Sequence, residues 1–179
     1  FLQVDIGEYE KVHQIIKDFK PNKIFHLAAE SHVDRSIEDP GTFINTNIIG
    51  TFNLLQSVKS LQTDLPEDFI FLHVSTDEVF GSLGFEEKPF DELSSYEPNS
   101  PYSASKASSD LLVRAWHKTY GIKSVITNCS NNYGPWQNPE KLIPKIIFNA
   151  INGKKIPIYS KGQNIRDWLH VDDHIAALI

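Results

Sequence analysis

Three short apolar runs, separated by stretches of helical periodicity, constrain this chain more than any other feature. The runs are Lys23 to Ala29 (KIFHLAA), Phe69 to Ser75 (FIFLHVS) and Ser124 to Asn128 (SVITN). The first is mostly apolar and suits a buried parallel strand. Before it, Leu2 to Ile6 reads as the tail of another strand. Tyr9, Val12, Ile15, Ile16 and Phe19 then recur at helical spacing, and Pro21 lies past the helix end. Asp39-Pro40 reads as an N-cap followed by proline at the first helical position. Ile44, Ile48, Phe52, Leu55 and Val58 mark one face of the long helix that follows, over 40–61. Ser100-Pro101 repeats the cap-plus-proline signal and opens a helix that stops near Tyr120-Gly121. Such alternation predicts an α/β fold with a parallel sheet covered by helices on both faces. Sheets of this kind bind ligands beyond the carboxyl ends of their strands. Function is therefore expected at Asp5-Ile6, Ala28 to His32, Thr76 to Gly81, and Ser130 to Pro139.

The last 50 or so residues are less regular. Ser130 to Pro139 is rich in Asn, Pro and Gly and reads as a loop. Leu142 to Asn152 is helical, with Gly153 as its stop signal. Ile156 to Tyr159 and Trp168 to Val171 read as short strands, and Asp172 as the cap of a last helix.

Composition narrows the function classes. The 179 residues carry 17 basic and 23 acidic side chains, a formal charge of −6. That balance argues against a broad nucleic-acid or anionic-membrane surface. Cys129 is the only cysteine, which excludes an intramolecular disulfide framework and fits a reducing, cytoplasmic setting. No apolar run approaches the roughly 18 residues needed to span a bilayer. His170 and His174 have i, i+4 spacing, but His170 falls in an expected strand and no third ligand is evident, so no metal is expected.

Tyr102 and Lys106 lie four residues apart on an expected helix and share a face. An ammonium beside a tyrosine favours the phenolate and lowers a pKa that is ordinarily about 10. Such a tyrosine can act as a general base near neutral pH. Taken alone, the pair is a weak signal, and an exposed surface pair is its usual explanation. Upstream, a buried strand ends in Ser75-Thr76-Asp77-Glu78. These adjacent carboxyl groups are either solvated loop acids or a divided acid/base pair, one protonated and one ionised. Spacing leaves both readings open.

The motifs together resemble a known family. STDEVFG, SPYSASKASSD, TNCSNNYGP, PEKLIP and IRDWLHVDDH, with HLAAESHVDRSI and NTNIIGT upstream, are similar to the extended short-chain dehydrogenase/reductase superfamily. Within it the chain resembles the dTDP-glucose 4,6-dehydratases, over nearly all its length from Val4 onward. The Thr-Asp-Glu triplet is the specific part. Phe80 departs from the tyrosine common there. The resemblance implies a Rossmann-like, doubly wound parallel sheet with NAD as cofactor. Residues 1–135 would form the NAD-binding core with the catalytic groups. Residues 136–179 would begin a small substrate-binding lobe, with a strand returning to the core.

The same resemblance implies roles. Tyr102 removes the C4 hydroxyl proton, Thr76 hydrogen-bonds the C4 oxygen, and Lys106 binds the nicotinamide ribose and keeps Tyr102 acidic. Glu78 takes the C5 proton and Asp77 donates to the departing C6 hydroxyl. Asp5, Ile6, Leu27, Ala28, Ala29, Thr46 and Asn132 match cofactor positions. Ser31, Asn131, Lys141, Leu142, Pro157, Tyr159 and Arg166 match substrate positions. A homodimer paired through the helices at 40–61 and 100–120 is implied as well.

Two alternatives stand beside this reading. One is an epimerase or decarboxylase using Tyr102 and Lys106 alone. The other is a catalytically incompetent piece, because no Gly-rich turn precedes Asp5 to cradle a pyrophosphate. On that second view the 179 residues are the middle of a chain nearly twice as long, and bind NAD poorly by themselves.

Overall fold

The computed structural model describes residues 1–158 and 160–179. It comprises two compact units, Phe1–Asn128 and Cys129–Ile179.

The first unit is α/β, with parallel strands as expected. Strands β1 (Lys23–His26), β2 (Ile70–Thr76) and β3 (Ser124–Cys129) form a sheet with β2 in the middle. β1 and β2 run parallel, with Lys23 opposite Ile70 and His26 opposite His73. Their carboxyl ends therefore share one edge. β1 stops at His26, three residues before its apolar run ends. Beyond it, the N–H and C=O of Glu30 are held by the side-chain amide of Asn47, at 2.9 and 3.0 Å, and not by a strand.

Leu2–Ile6 is not a strand. Asp5 instead makes an Asx-type turn, its carboxylate accepting from Gly7 N at 2.8 Å, and Asn53 Nδ2 donates to the carbonyls of Ile6 and Gly7. These side-chain bonds take up backbone groups that a ladder would need.

Helix α1 (Tyr9–Phe19) follows, then α2 (Val33–Glu38), α3 (Pro40–Phe43), a π-helical segment Ile44–Ile49, and α4 (Gly50–Ser60). The expected single helix over 40–61 is thus helical but widened in its middle, where Asn47 is buried. Pro40 stands at the first helical position, but Asp39 caps no backbone N–H. Its carboxylate accepts the Thr42 hydroxyl at 2.6 Å.

Helix α5 (Pro101–Tyr120) starts and stops where the sequence indicates. Ser100 and Ser103 exchange side-chain and backbone hydrogen bonds in a capping box. Gly121 ends the helix at φ 72°, a left-handed conformation that suits glycine. Val12, Ile16, Leu55, Val58, Phe71, Val113 and Ile122 form the core of this unit. Each such buried side chain contributes roughly 1.5–3 kcal/mol relative to exposure.

The second unit holds β4 (Asn131–Tyr133) and β5 (Trp168–His170), paired in parallel, with α6 (Leu142–Ile151) and α7 (Val171–Leu178). The expected loop at 130–139 therefore contains a strand, because β5 supplies a partner that local composition cannot reveal. Ile156, Pro157 and Ile158 are not in a strand, and Tyr159 lies outside the described residues. The cap of α7 is His170, whose Nδ1 accepts from Asp172 N at 3.3 Å. Asp172 sits inside the first turn. Among the described residues no helix is long and apolar enough to cross a membrane.

Candidate active site

β2 delivers Thr76 to the carboxyl edge of the sheet, and the chain turns at once into a 3₁₀ helix, Asp77–Phe80. Thr76 is the cap of that turn. Its hydroxyl accepts from Glu78 N at 3.2 Å and donates to Asp77 Oδ1 at 3.3 Å. Thr76 is buried and the two acids are half-buried. They are not fully solvated loop residues. Gly81 then reverses the chain at φ 98° and ψ −139°, beside the carbonyl of Glu97.

Helix α5 packs against both β2 and this turn. Tyr102 and Lys106 lie in its first two turns. The Tyr102 ring is half-buried and meets Phe43 edge-on, with centroids 6.3 Å apart. Lys106 is only 4% exposed. Its Nζ donates to the Val74 carbonyl at 2.9 Å and lies 3.5 Å from His73 Nε2. The expected five residues thus come from one strand end and one helix start that pack together.

Sequence reading missed a buried polar layer in this unit. Asn47 Nδ2 donates to Ser105 Oγ at 2.8 Å, tying the segment after β1 to α5. Ser109 Oγ donates to the Asn47 carbonyl at 2.6 Å. His26 Nε2 and Thr51 Oγ1 are 2.8 Å apart, and the His26 and His73 rings meet tilted at 42° with centroids 4.9 Å apart. Asp110, also buried, accepts from Ser75, Tyr96 and Asn128. Two signals could have exposed this layer: histidines inside apolar strands, and an acid one helical turn beyond Lys106.

Burial lowers the pKa of His26 well below the ordinary histidine value, and the neighbouring His73 and Lys106 add to that. Burial also lowers that of His73, partly opposed by Asp110. The Tyr96 hydroxyl is pushed up to about 12 by burial and by the Asp110 charge, so it remains a donor.

The other expected residues are distributed as follows. Leu27 and Ala28 are exposed and Ala29 half-buried, all just past β1. Asp5 is exposed and Ile6 half-buried, in the turn preceding α1, and Thr46 is half-buried in the π segment. Ser31 is exposed at the entrance to α2. In the second unit, Asn131 and Asn132 are half-buried on β4. Asn132 donates to the Ser130 carbonyl and pairs with His174 Nδ1 at 2.7 Å. Lys141 and Leu142 begin α6, Pro157 is half-buried, and Arg166 is exposed, its Nη1 donating to the Ile165 carbonyl.

Comparison with known proteins places this arrangement. The family described as GDP-mannose 4,6 dehydratase matches residues 1–179. A dTDP-glucose 4,6-dehydratase of Neisseria meningitidis is 54% identical, across 99% of this chain and 51% of its own. The dTDP-glucose 4,6-dehydratase 1 of Escherichia coli is 53% identical, across 99% and 53%. The chain spans about half the length of the curated relatives it matches. Among solved structures, a dTDP-glucose 4,6-dehydratase from Streptomyces venezuelae with NAD and TYD bound superimposes with a TM-score of 0.91. It is 45% identical, over 99% of this chain and 52% of that one. A UDP-glucose 4-epimerase from Thermotoga maritima shares the fold with a TM-score of 0.90 at 28% identity, over 99% and 57%. Over its whole length, the chain belongs to the GDP-mannose 4,6-dehydratase family.

Proposed function

We propose that the protein of which these residues form part is an NAD-dependent nucleotide-sugar 4,6-dehydratase, converting dTDP-glucose to dTDP-4-keto-6-deoxy-glucose. The observation that carries this reading is the Thr76-Asp77-Glu78 turn beside the helix bearing Tyr102 and Lys106. An epimerase needs only the Tyr-Lys pair, whereas elimination of water needs two further carboxyl groups in opposite protonation states. Relatives more than half identical to the chain are named dTDP-glucose 4,6-dehydratase, which favours the same substrate here.

The residues present fit NAD. Ala28 and Ala29 put little side-chain bulk past the end of β1, so a flat ring can approach the backbone there. Lys106 offers a positive charge four residues along α5 from Tyr102, held by the Val74 carbonyl. When bound, NAD supplies a hydride acceptor for C4 and later a donor for C6. Asp5, Ile6, Leu27, Thr46 and Asn132 complete the cofactor side, in a core spanning 1–135. Ser31, Asn131, Lys141, Leu142, Pro157, Tyr159 and Arg166 serve the substrate, with 136–179 belonging to its binding region. Lys141 and Arg166 suit a diphosphate by charge.

The chain's own groups then act in order. Tyr102 takes the C4 hydroxyl proton while Thr76 turns its hydroxyl from Asp77 to the C4 oxygen. A ketone at C4 acidifies the C5 hydrogen, and Glu78 removes it. Asp77, held protonated, gives its proton to the leaving C6 hydroxyl, which departs as water. Reprotonation at C5 completes the cycle. The protein works as a cytoplasmic homodimer.

Product analysis tests this. The complete natural polypeptide, incubated with dTDP-glucose and NAD, should yield the 4-keto-6-deoxy nucleotide sugar by NMR. Recovery of dTDP-galactose, or of no keto product from folded protein, contradicts it.

A further inference from the structure

Asp110 has no part in the chemistry above, yet its carboxylate accepts hydrogen bonds from three side chains in the polar layer. It stands four residues beyond Lys106 and eight beyond Tyr102, so the three share one stripe of α5. It is 1% exposed. Its Oδ2 accepts from Ser75 Oγ at 2.8 Å, Tyr96 Oη at 3.0 Å and Asn128 Nδ2 at 3.3 Å. Its Oδ1 lies 3.2 Å from His73 Nε2. The same Nε2 is 3.5 Å from Lys106 Nζ. Carboxylate, imidazole and ammonium thus follow one another in the interior, where an isolated charge is costly unless paired.

The histidine between them has one nitrogen for two neighbours. Among the described residues His73 Nδ1 has no hydrogen-bond partner, and burial lowers the ring's pKa, which favours the neutral form. Asp110 Oδ1 makes no hydrogen bond among the described residues, so its 3.2 Å approach to His73 Nε2 is a close charge contact. A proton on Nε2 aimed at that carboxylate is the arrangement the inference requires. Lys106 then rests against a ring whose orientation Asp110 fixes, and donates to Val74. The carboxylate also grips the strand end: Ser75 directly precedes Thr76, and Asn128 donates to the Thr76 carbonyl at 3.1 Å as well as to Asp110.

We propose that Asp110 is a positioning residue for the catalytic groups, holding Lys106, through His73, on the stripe of α5 it shares with Tyr102, and holding Thr76 through Ser75 and Asn128. Nothing in the proposed reaction assigns it a role, and the inference rests on that reaction for its kinetic consequence alone. The charged or titratable groups packed around the stripe are His26, His73, Asp77, Glu78, Tyr96 and Arg114. Removing the Asp110 charge by itself would make the Tyr102 phenolate easier to form. Loosening Lys106 would make it harder, and this second effect is the one the positioning role requires.

The test uses the complete polypeptide carrying Asp110→Asn, His73→Leu, or Ser75→Ala as a milder control. In Asp110→Asn the acidic limb of the pH–kcat profile should move upward by about one unit or more, the size of a lost charge contact. At neutral pH kcat should then fall about tenfold per unit, with KM little changed. His73→Leu leaves the other Asp110 bonds in place and should shift the limb the same way. An unmoved or downward-moved limb in either variant overturns the proposal, even where kcat falls. Nitrogen NMR of the substrate-free wild type gives an arm independent of activity: His73 should carry its proton on Nε2. A proton on Nδ1 overturns the inference without touching the proposed reaction, whereas failure to form the keto product with His73 protonated on Nε2 sinks only the reaction.

Discussion

Lys106 Nζ donates to the carbonyl of Val74 at 2.9 Å, which anchors the ammonium of α5 to β2 two residues before Thr76. The helix and the strand end are therefore coupled through a buried cation. Lys106→Met should lower kcat by at least about 100-fold, the low end for a positioned acid/base system. Lys106→Arg should not rescue it, because a planar five-donor fork cannot replace a compact ammonium in this space. Steady-state kinetics on the complete polypeptide check both.

In the proposed reaction Asp77 and Glu78 serve the elimination and leave the first oxidation to Tyr102. Asp77→Asn and Glu78→Gln should each slow overall turnover by roughly 10²–10⁴-fold while C4 oxidation is less affected. Reduced nicotinamide should accumulate in a single turnover, visible by its absorbance. A variant that loses oxidation as severely as elimination would contradict the division of labour.

Gly81 closes the turn that carries both acids. A Cβ there would stand 2.6 Å from the Glu97 carbonyl oxygen, at a φ of 98° that side chains avoid. Because Glu97 N also donates to the Val79 carbonyl at 3.0 Å, the clash cannot be relieved without moving the turn. Gly81→Ala should cost about 1–3 kcal/mol, typical of forced backbone strain. Urea denaturation should show it as a lowered midpoint.

His26 is buried and neutral, with a native pKa well below its ordinary value because of burial first and His73 and Lys106 next. The unfolded chain takes up a proton near pH 6.5 that the native ring refuses. Its contribution is therefore full above about pH 6.5 and falls as pH drops toward the lowered native value. Stability measured in urea should decline on acidification through that window. His26→Gln should make the decline shallower.

Much of this was legible in the sequence because it is local. Ser100-Pro101 fixed the start of α5 through hydroxyl capping, and Gly121 fixed its end through a left-handed φ, so Tyr102 and Lys106 could be placed on one face. The apolar runs located β1, β2 and β3. What escaped depends on partners far along the chain. Asn131–Tyr133 becomes a strand only because Trp168–His170 pairs with it. Leu2–Ile6 looks like a strand by composition, but Asp5 and Asn53 supply competing bonds. Asp110 reads as an ordinary helical acid until β2 sets His73 and Ser75 against it.

The proposed reaction is tested most directly by the fate of one hydrogen. The complete polypeptide should be given dTDP-glucose carrying deuterium at C4. Transfer of hydride from C4 and its return to C6 predicts deuterium at C6 of the 4-keto-6-deoxy product. Deuterium returned to C4 of an inverted sugar, or lost from the sugar altogether, would contradict it.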